Sequence, residues 1–262
     1  RMGHLDRFDL TGRVAVIPGG NGAIGAALAA GLAEAGAAVT IIGRTAETVE
    51  EVTRGLVSDG ARAHGVVGDM TSEEEAQRAI DETLEQFGRV DIVVNAIGGG
   101  AGKVLYSAHE YPRDAWDWIF ELNVRSTILP TQAAVRAMID AGRGGRVLNI
   151  SSVRGQLGID AGYSAYVAAK GAIDSLTRQW ATEWARYGIT VNAISPTFVD
   201  TPQVAMLLDD PEFKARLVGR IPLRRVGQTE DLIGATLLFC SDASSFITGQ
   251  ILTIDGGLTA TQ

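Results

Sequence analysis

The chain has 262 residues, 46% of them hydrophobic, and a formal net charge of −8. That balance excludes a basic nucleic-acid groove, which needs clustered Lys and Arg, while the length suffices to bury a full layered core. The single cysteine, Cys240, excludes an internal disulfide and a cysteine-rich zinc site, and its apolar setting ATLLFCSD predicts a buried, inert thiol.

The opening RMGHLDRFDL is too polar for the apolar core of a secretory leader. The run GAALAAGLAEAGAAVTIIG is broken by Glu34 and by glycines, so no membrane span is expected and the cytoplasm is the expected location. Next in chain order, RVAVIP (13–18) reads as a buried strand. Residues 23–35 read as a helix with Ile24, Ala27, Leu28, Gly31, Leu32 and Ala35 on one face. A strand over 39–43, a helix over 46–60 closed by Gly60 and a short strand over 61–67 follow. TSEEEAQRAIDETLEQFG (71–88) opens with a Thr/Ser cap and acids in its first turn and closes on Gly88, which is helix grammar at both ends. The spacing then predicts a strand over 90–95, one long helix over about 113–141, a strand over 145–151 and a helix over about 163–187. Strands over 189–195 and 250–257 complete the chain. Alternating strands and helices predict an α/β fold: a Rossmann-type doubly wound parallel sheet with helices on both faces, in a single domain over 1–262.

Two stretches carry chemistry. PGGNGAIG (18–25) is a glycine-rich turn between a strand and a helix, where backbone can approach a pyrophosphate and the helix N-terminus offers N–H groups. An ordinary glycine-rich turn is the plainer reading of the same residues. YSAYVAAKG (163–171) places Tyr166 four residues before Lys170, one helical turn away on the same face. A free tyrosine titrates near about 10, and a neighbouring ammonium favours the phenolate, so the spacing suits a general acid or base. Tyr163 faces another side and reads as a cleft wall or as packing.

With the remaining landmarks in order, the chain resembles the short-chain dehydrogenase/reductase family from about residue 8 to 257. The family's cofactor turn, Thr-Gly-x-x-x-Gly-x-Gly, meets Pro18, Gly19, Ala23 and Gly25 here, two matches in four, with Gly22 one residue early. VVNAIGG resembles the segment after the fourth strand, with Asn95, Ala96 and Ile97 at its positions. GDMT places Asp69 where the family contacts adenine, followed by Met70. ELNV supplies Asn123, and NISSVRG supplies Ser152, with Ser151 before it. SPTFVDT resembles the loop beside the nicotinamide, with Pro196, Val199 and Thr201 in place and Thr197 replacing a glycine.

The resemblance implies catalytic roles for Asn123, Ser152, Tyr166 and Lys170. It implies cofactor contacts from Gly19, Asn21, Gly22, Ala23, Ile24, Gly25, Arg44, Asp69, Met70, Asn95, Ala96, Ile97, Tyr166, Lys170, Pro196, Val199 and Thr201. Ser152 would hold the reacting oxygen, Tyr166 would move the proton, Lys170 would hold the nicotinamide ribose, and Asn123 would keep a water that links Lys170 to solvent. No metal is expected. Gly43 stands where NAD-using relatives often carry an acid, and Arg44 after it suits a 2′-phosphate, so NADP(H) is the expected cofactor and NAD(H) the alternative. SVRGQLGIDAGYSAY and IPLRRVGQTEDLIGA resemble members acting on sugar acids and polyols, the gluconate 5-dehydrogenase type. A 3-oxoacyl-thioester reductase is the second reading, for which Arg220, Arg224 and Arg225 would be the carrier-facing patch, and a non-catalytic nucleotide-binding regulator is the third. The resemblance also implies a small-molecule substrate and a homotetramer or homodimer.

Overall fold

A computed structural model describes residues 3–261. Seven strands form one parallel sheet in the order β3-β2-β1-β4-β5-β6-β7. They are β1 (Val14–Pro18), β2 (Ala38–Gly43), β3 (Ala63–Val67), β4 (Ile92–Asn95), β5 (Gly145–Ile150), β6 (Ile189–Pro196) and β7 (Ile251–Ile254). The order reverses between β1 and β4, whose ladder pairs Ala15 with Ile92 and Val16 with Val93. In open α/β sheets, ligands bind at that switch point, beyond the carboxyl ends of the strands.

The alternation of side chains along each strand builds two cores. Ala15, Ile17, Val39, Ile41 and Val94 point to one face, where helices α1 (Ala23–Glu34), α2 (Ala46–Ser58) and α9 (Ile233–Cys240) cover them with Leu28, Leu32, Val49 and Phe239. Val16, Ile42, Val66 and Val93 point to the other, under α3 (Glu73–Phe87), α5 (Ser126–Ala141) and α6 (Ser164–Trp184). Cys240 is buried among the first set, and burial pushes its thiol up to about 12, as an inert cysteine requires. Helix α3 has the expected ends: Ser72 Oγ accepts from Glu75 N, and Gly88, at φ 76°, closes it.

The expected long helix over 113–141 is not continuous. Helix α4 (Arg113–Phe120) runs into a π-helical turn over Glu121–Arg125 before α5 begins. Trp116 packs with Tyr111 and Phe120 beneath it, while Trp118, two residues on, is exposed. Short helices α7 (Ala205–Leu208) and α8 (Pro211–Arg220) form a flap between β6 and α9, held by Leu208, Leu217, Ile221 and Val226. Among the described residues no helix is long and apolar enough to cross a membrane.

Candidate active site

The carboxyl ends of β4, β5 and β6, with the start of α6, bring four of the predicted residues together. Helix α6 presents Tyr166 and, one turn on, Lys170, which is buried with Nζ donating to the Ile150 carbonyl at 2.9 Å. The two serines after β5 part ways. Ser151 turns inward and donates to Asp174 Oδ1 at 2.5 Å. Ser152 is buried too, but it hydrogen-bonds the Tyr166 phenol and accepts the Arg154 backbone N–H at 3.1 Å. Asn123 sits in the π-helical turn, fully buried, and clasps Gly99: Oδ1 accepts from Gly99 N at 2.9 Å and Nδ2 donates to Gly99 O at 3.1 Å. A Cβ on Gly98 would lie 2.9 Å from Asn123 Oδ1 and 3.0 Å from Lys170 Nζ, so only glycine leaves the gap between those two groups open.

The electrostatics correct one expectation. Burial comes first for both partners of the Tyr-Lys pair: it raises the phenol of Tyr166 and lowers the ammonium of Lys170 to about 8. The Ser152 hydrogen bond and the charge of Arg154 draw Tyr166 back down, but burial outweighs them. Lys170 lies 5.7 Å from the Tyr166 ring centroid, and its own charge is supported by Asp174, whose carboxyl burial raises in turn. No sequence motif marks Asp174, although it follows Lys170 by four residues on the same helix face. That second four-residue step is the signal by which it could be found.

The β1–α1 turn is shaped for close approach. Gly19, at φ 79°, packs against the Ala96–Ile97 peptide, where a Cβ would come within 2.7 Å of both Ala96 C and Ile97 N. A Cβ on Gly25 would overlap Gly19 O. Pro18 has no N–H to give toward β4, but its carbonyl still accepts from Ala96 N at 2.8 Å on that side, and Gly19 N donates to Ile42 O of β2 at 2.8 Å. Gly22 caps α1, and the methyl of Ala23 lies exposed at the helix start, with Ile24 half-buried beside it. Asn21 fills the space over Gly43, where a Cβ would overlap its carboxamide, and Nδ2 is fixed to Thr48 Oγ1 at 2.8 Å. Arg44 is exposed at the end of β2 and acts on Asp69, whose carboxylate takes both the N–H and the hydroxyl of Thr71. These features fit a dinucleotide: a backbone cradle at a helix N-terminus, a cation and an acid further along the sheet edge.

Not every predicted residue turns its side chain there. Met70 and Val199 are packed into the two cores and offer only backbone to the cleft. Asn95 donates to Thr131 and to Asn149, tying β4 to α5 and β5, so it organises the floor from below. Pro196 ends β6, and next to it Thr197 carries a buried hydroxyl with no protein partner among the described residues. Thr201 begins the flap, and the flap's Gln203, which no motif singles out, lies against Gly99. Of the three arginines read as a patch, Arg225 is held by both oxygens of Asp231 at 2.5 and 2.7 Å and Arg224 donates to Gly219 O at 2.6 Å.

A family model described as enoyl-(acyl carrier protein) reductase matches residues 20–259. The chain belongs to the short-chain dehydrogenase/reductase family. As a member it is an oxidoreductase acting on CH–OH groups. It is 37% identical to gluconate 5-dehydrogenase of Gluconobacter oxydans (strain 621H), over 98% of this chain and 99% of that relative. It is 40% identical to cis-4-hydroxycyclohexanecarboxylate dehydrogenase of Sinomonas cyclohexanicum, over 95% and 97%. Among solved structures, a gluconate 5-dehydrogenase from Burkholderia cenocepacia J2315 in complex with NADP and tartrate superposes with a TM-score of 0.91 at 37% identity, covering 99% of this chain and all of that one. The family's fold and this chain's seven-stranded parallel sheet agree throughout that length.

Proposed function

We propose that the chain is an NADP(H)-dependent oxidoreductase that interconverts a secondary alcohol and a ketone on a sugar acid, a polyol or a similar small hydroxylated substrate. The observation that carries this is the Ser152–Tyr166 hydroxyl pair, with Lys170 buried one turn behind. In reduction Tyr166 gives its proton to the carbonyl oxygen, and in oxidation it takes the proton back. Its phenol, held up by burial, is in the donor form at neutral pH. Ser152 Oγ donates to the same oxygen as negative charge grows there. Lys170 and Asn123 border the gap at Gly98, the route by which Tyr166 exchanges its proton with solvent. The nicotinamide, when bound, supplies or accepts the hydride at C4.

The residues fit NADP(H) better than NAD(H). An acid at position 43, the usual partner of a free ribose hydroxyl, would collide with Asn21, while Arg44 is exposed and available for a phosphate. The turn from Gly19 to Gly25 would hold the pyrophosphate, Asp69 the adenine end, the Ala96–Ile97 backbone and the Pro196–Thr201 segment the nicotinamide end, and Lys170 the ribose. The relatives' names support a hydroxy-acid substrate. The thioester reading stands second, supported by the description of the family model and weakened by the internal pairing of Arg224 and Arg225. We further propose a cytoplasmic homotetramer or homodimer built on α4, α5 and α6, supported by the exposed Trp118. A monomer in sedimentation at micromolar concentration overturns that assembly. For the reaction, NADPH oxidation is followed against 5-keto-D-gluconate, neutral keto-sugars and an acetoacetyl thioester. Tyr166→Phe should lose at least about 100-fold in rate. Turnover that survives in that variant, or turnover of the thioester alone, overturns the reading.

A further inference from the structure

Beyond the pull of its charge on Tyr166, Arg154 has no part in the reaction just described, yet it occupies an expensive position. It lies in the short turn Val153–Gly155 directly after Ser152 and is only 9% exposed. A guanidinium carries five N–H donors, and of these Nη1 donates to Gly158 O at 3.0 Å. Among the described residues no carboxylate forms an ion pair with it, and the groups whose charge acts on it include Arg220, Tyr163 and Tyr166. Arg220 ends α8 and comes from the flap, exposed, so the like charge approaches from the element that covers the site. Burial and Arg220 both disfavour the charge of Arg154. Arginine does not answer by giving up its proton, so two guanidiniums in this arrangement are relieved by an anion between them.

The neighbours say which anion that is. Arg154 directly follows Ser152, whose Oγ accepts its backbone N–H at 3.1 Å, and its charge acts on the Tyr166 phenol, so the guanidinium belongs to the same site as the two hydroxyls that flank the reacting oxygen. A carboxylate matches a guanidinium fork bidentately. We propose that Arg154, joined by Arg220 from the flap, binds the substrate's carboxylate, so that the site selects hydroxy and keto acids over neutral polyols and sugars. This rests on the reading of Ser152 and Tyr166 as the reacting pair.

The test is calorimetric titration of the full chain, saturated with NADP+, with two pairs of compounds. D-gluconate is set against D-sorbitol, and cis-4-hydroxycyclohexanecarboxylate against cyclohexane-1,4-diol. The wild type should bind at least one acid about 10- to 100-fold more tightly than its neutral counterpart, the range of a charged hydrogen-bonded contact. Arg154→Gln should erase that preference, Arg154→Lys should restore part of it, and Arg220→Gln, an exposed change, should reduce it several-fold. Titration with NADP+ alone reports whether each variant is folded. A wild type that binds both acids no better than the neutral compounds overturns the proposal, and so does a preference that survives Arg154→Gln in a folded protein. Turnover measured on the same samples separates the two claims. Acid preference lost in Arg154→Gln with no hydride transfer anywhere upholds the carboxylate site and sinks the oxidoreductase reading. Turnover of neutral substrates without acid preference does the reverse.

Discussion

Replacing Lys170 with Met should make the protein more stable at neutral pH while removing its activity. The ammonium is buried, and its titration falls from 10.5 to about 8. A lysine whose folded-state value is depressed contributes stability that is present above the unfolded value and lost as pH falls through the folded one. At pH 7.5 the loss is nearly complete. Each tenfold drop in proton affinity is worth about 1.4 kcal/mol, so the whole depression costs about 3 kcal/mol. Against this, Met leaves the Ile150 carbonyl without its donor, which costs about 1–2 kcal/mol. The net expectation at pH 7.5 is a variant more stable by about 1–2 kcal/mol. The sharper signature is the pH dependence. Between pH 7.5 and 9.5 the wild type regains about 2 kcal/mol of the loss and the variant has nothing to regain, so the advantage should shrink by that amount. Urea unfolding of both proteins at fixed protomer concentration, followed by tryptophan fluorescence, measures it. A stability difference that stays flat over this range would show that Lys170 titrates normally, and the argument from its burial would fail.

Other outcomes follow from the same geometry. Arg44→Asp should shift cofactor preference toward NADH, and unchanged NADPH kinetics in that variant would remove Arg44 from phosphate recognition. Gly43→Asp alone should weaken both cofactors and destabilise the fold by about 1–3 kcal/mol, because the new side chain meets Asn21. Pairing it with Asn21→Gly should restore folding and favour NADH, and a single variant as stable as the wild type would show that Asn21 yields freely. Asn123→Ala loses both bonds to Gly99 and a third, from Nδ2 to Ile119 O at 3.0 Å, and should cost about 2–4 kcal/mol in chemical denaturation. A cost under about 0.5 kcal/mol would mean that the clasp on Gly99 does not hold the turn in place. Asp174→Asn removes the charge that supports the Lys170 ammonium, so Lys170 should titrate below 8. NMR of 13C-labelled lysine reads this directly, and an upward move would reverse the sign assigned to Asp174.

The places of strands and helices along the chain were legible because they rest on local patterns: the apolar run of Val14–Pro18, the Ser72 cap, the Gly88 stop. The Tyr166–Lys170 pair was legible because a helix converts a spacing of four into a shared face. What a side chain's surroundings do to its charge was not. Nothing in YSAYVAAK shows that Lys170 points at the Ile150 carbonyl or that Arg154, from another element, also acts on Tyr166. Likewise GDMT and TFVDT looked like cofactor loops, but Met70 and Val199 are claimed by the cores on either side of the sheet. The break at Glu121–Arg125 was hidden because ELNVR has ordinary helix propensity, and the wide turn is held by a contact to Gly99, distant in sequence.

That wide turn lets one stretch of chain satisfy two packing partners. An α-helix turns about 100° per residue, so a turn that takes in one extra residue rotates everything after it by that angle. Ahead of the turn, Ile119 is buried against Ala165 and Ala169 of α6. Beyond it, Ala134 and Met138 are buried against the sheet. Deleting one residue from 121–125 would join α4 and α5 into a straight rod whose apolar stripe could meet only one of these partners. The phase offset that gives Asn123 its place is therefore also what allows a single long segment to close the cleft at one end and cover the sheet at the other.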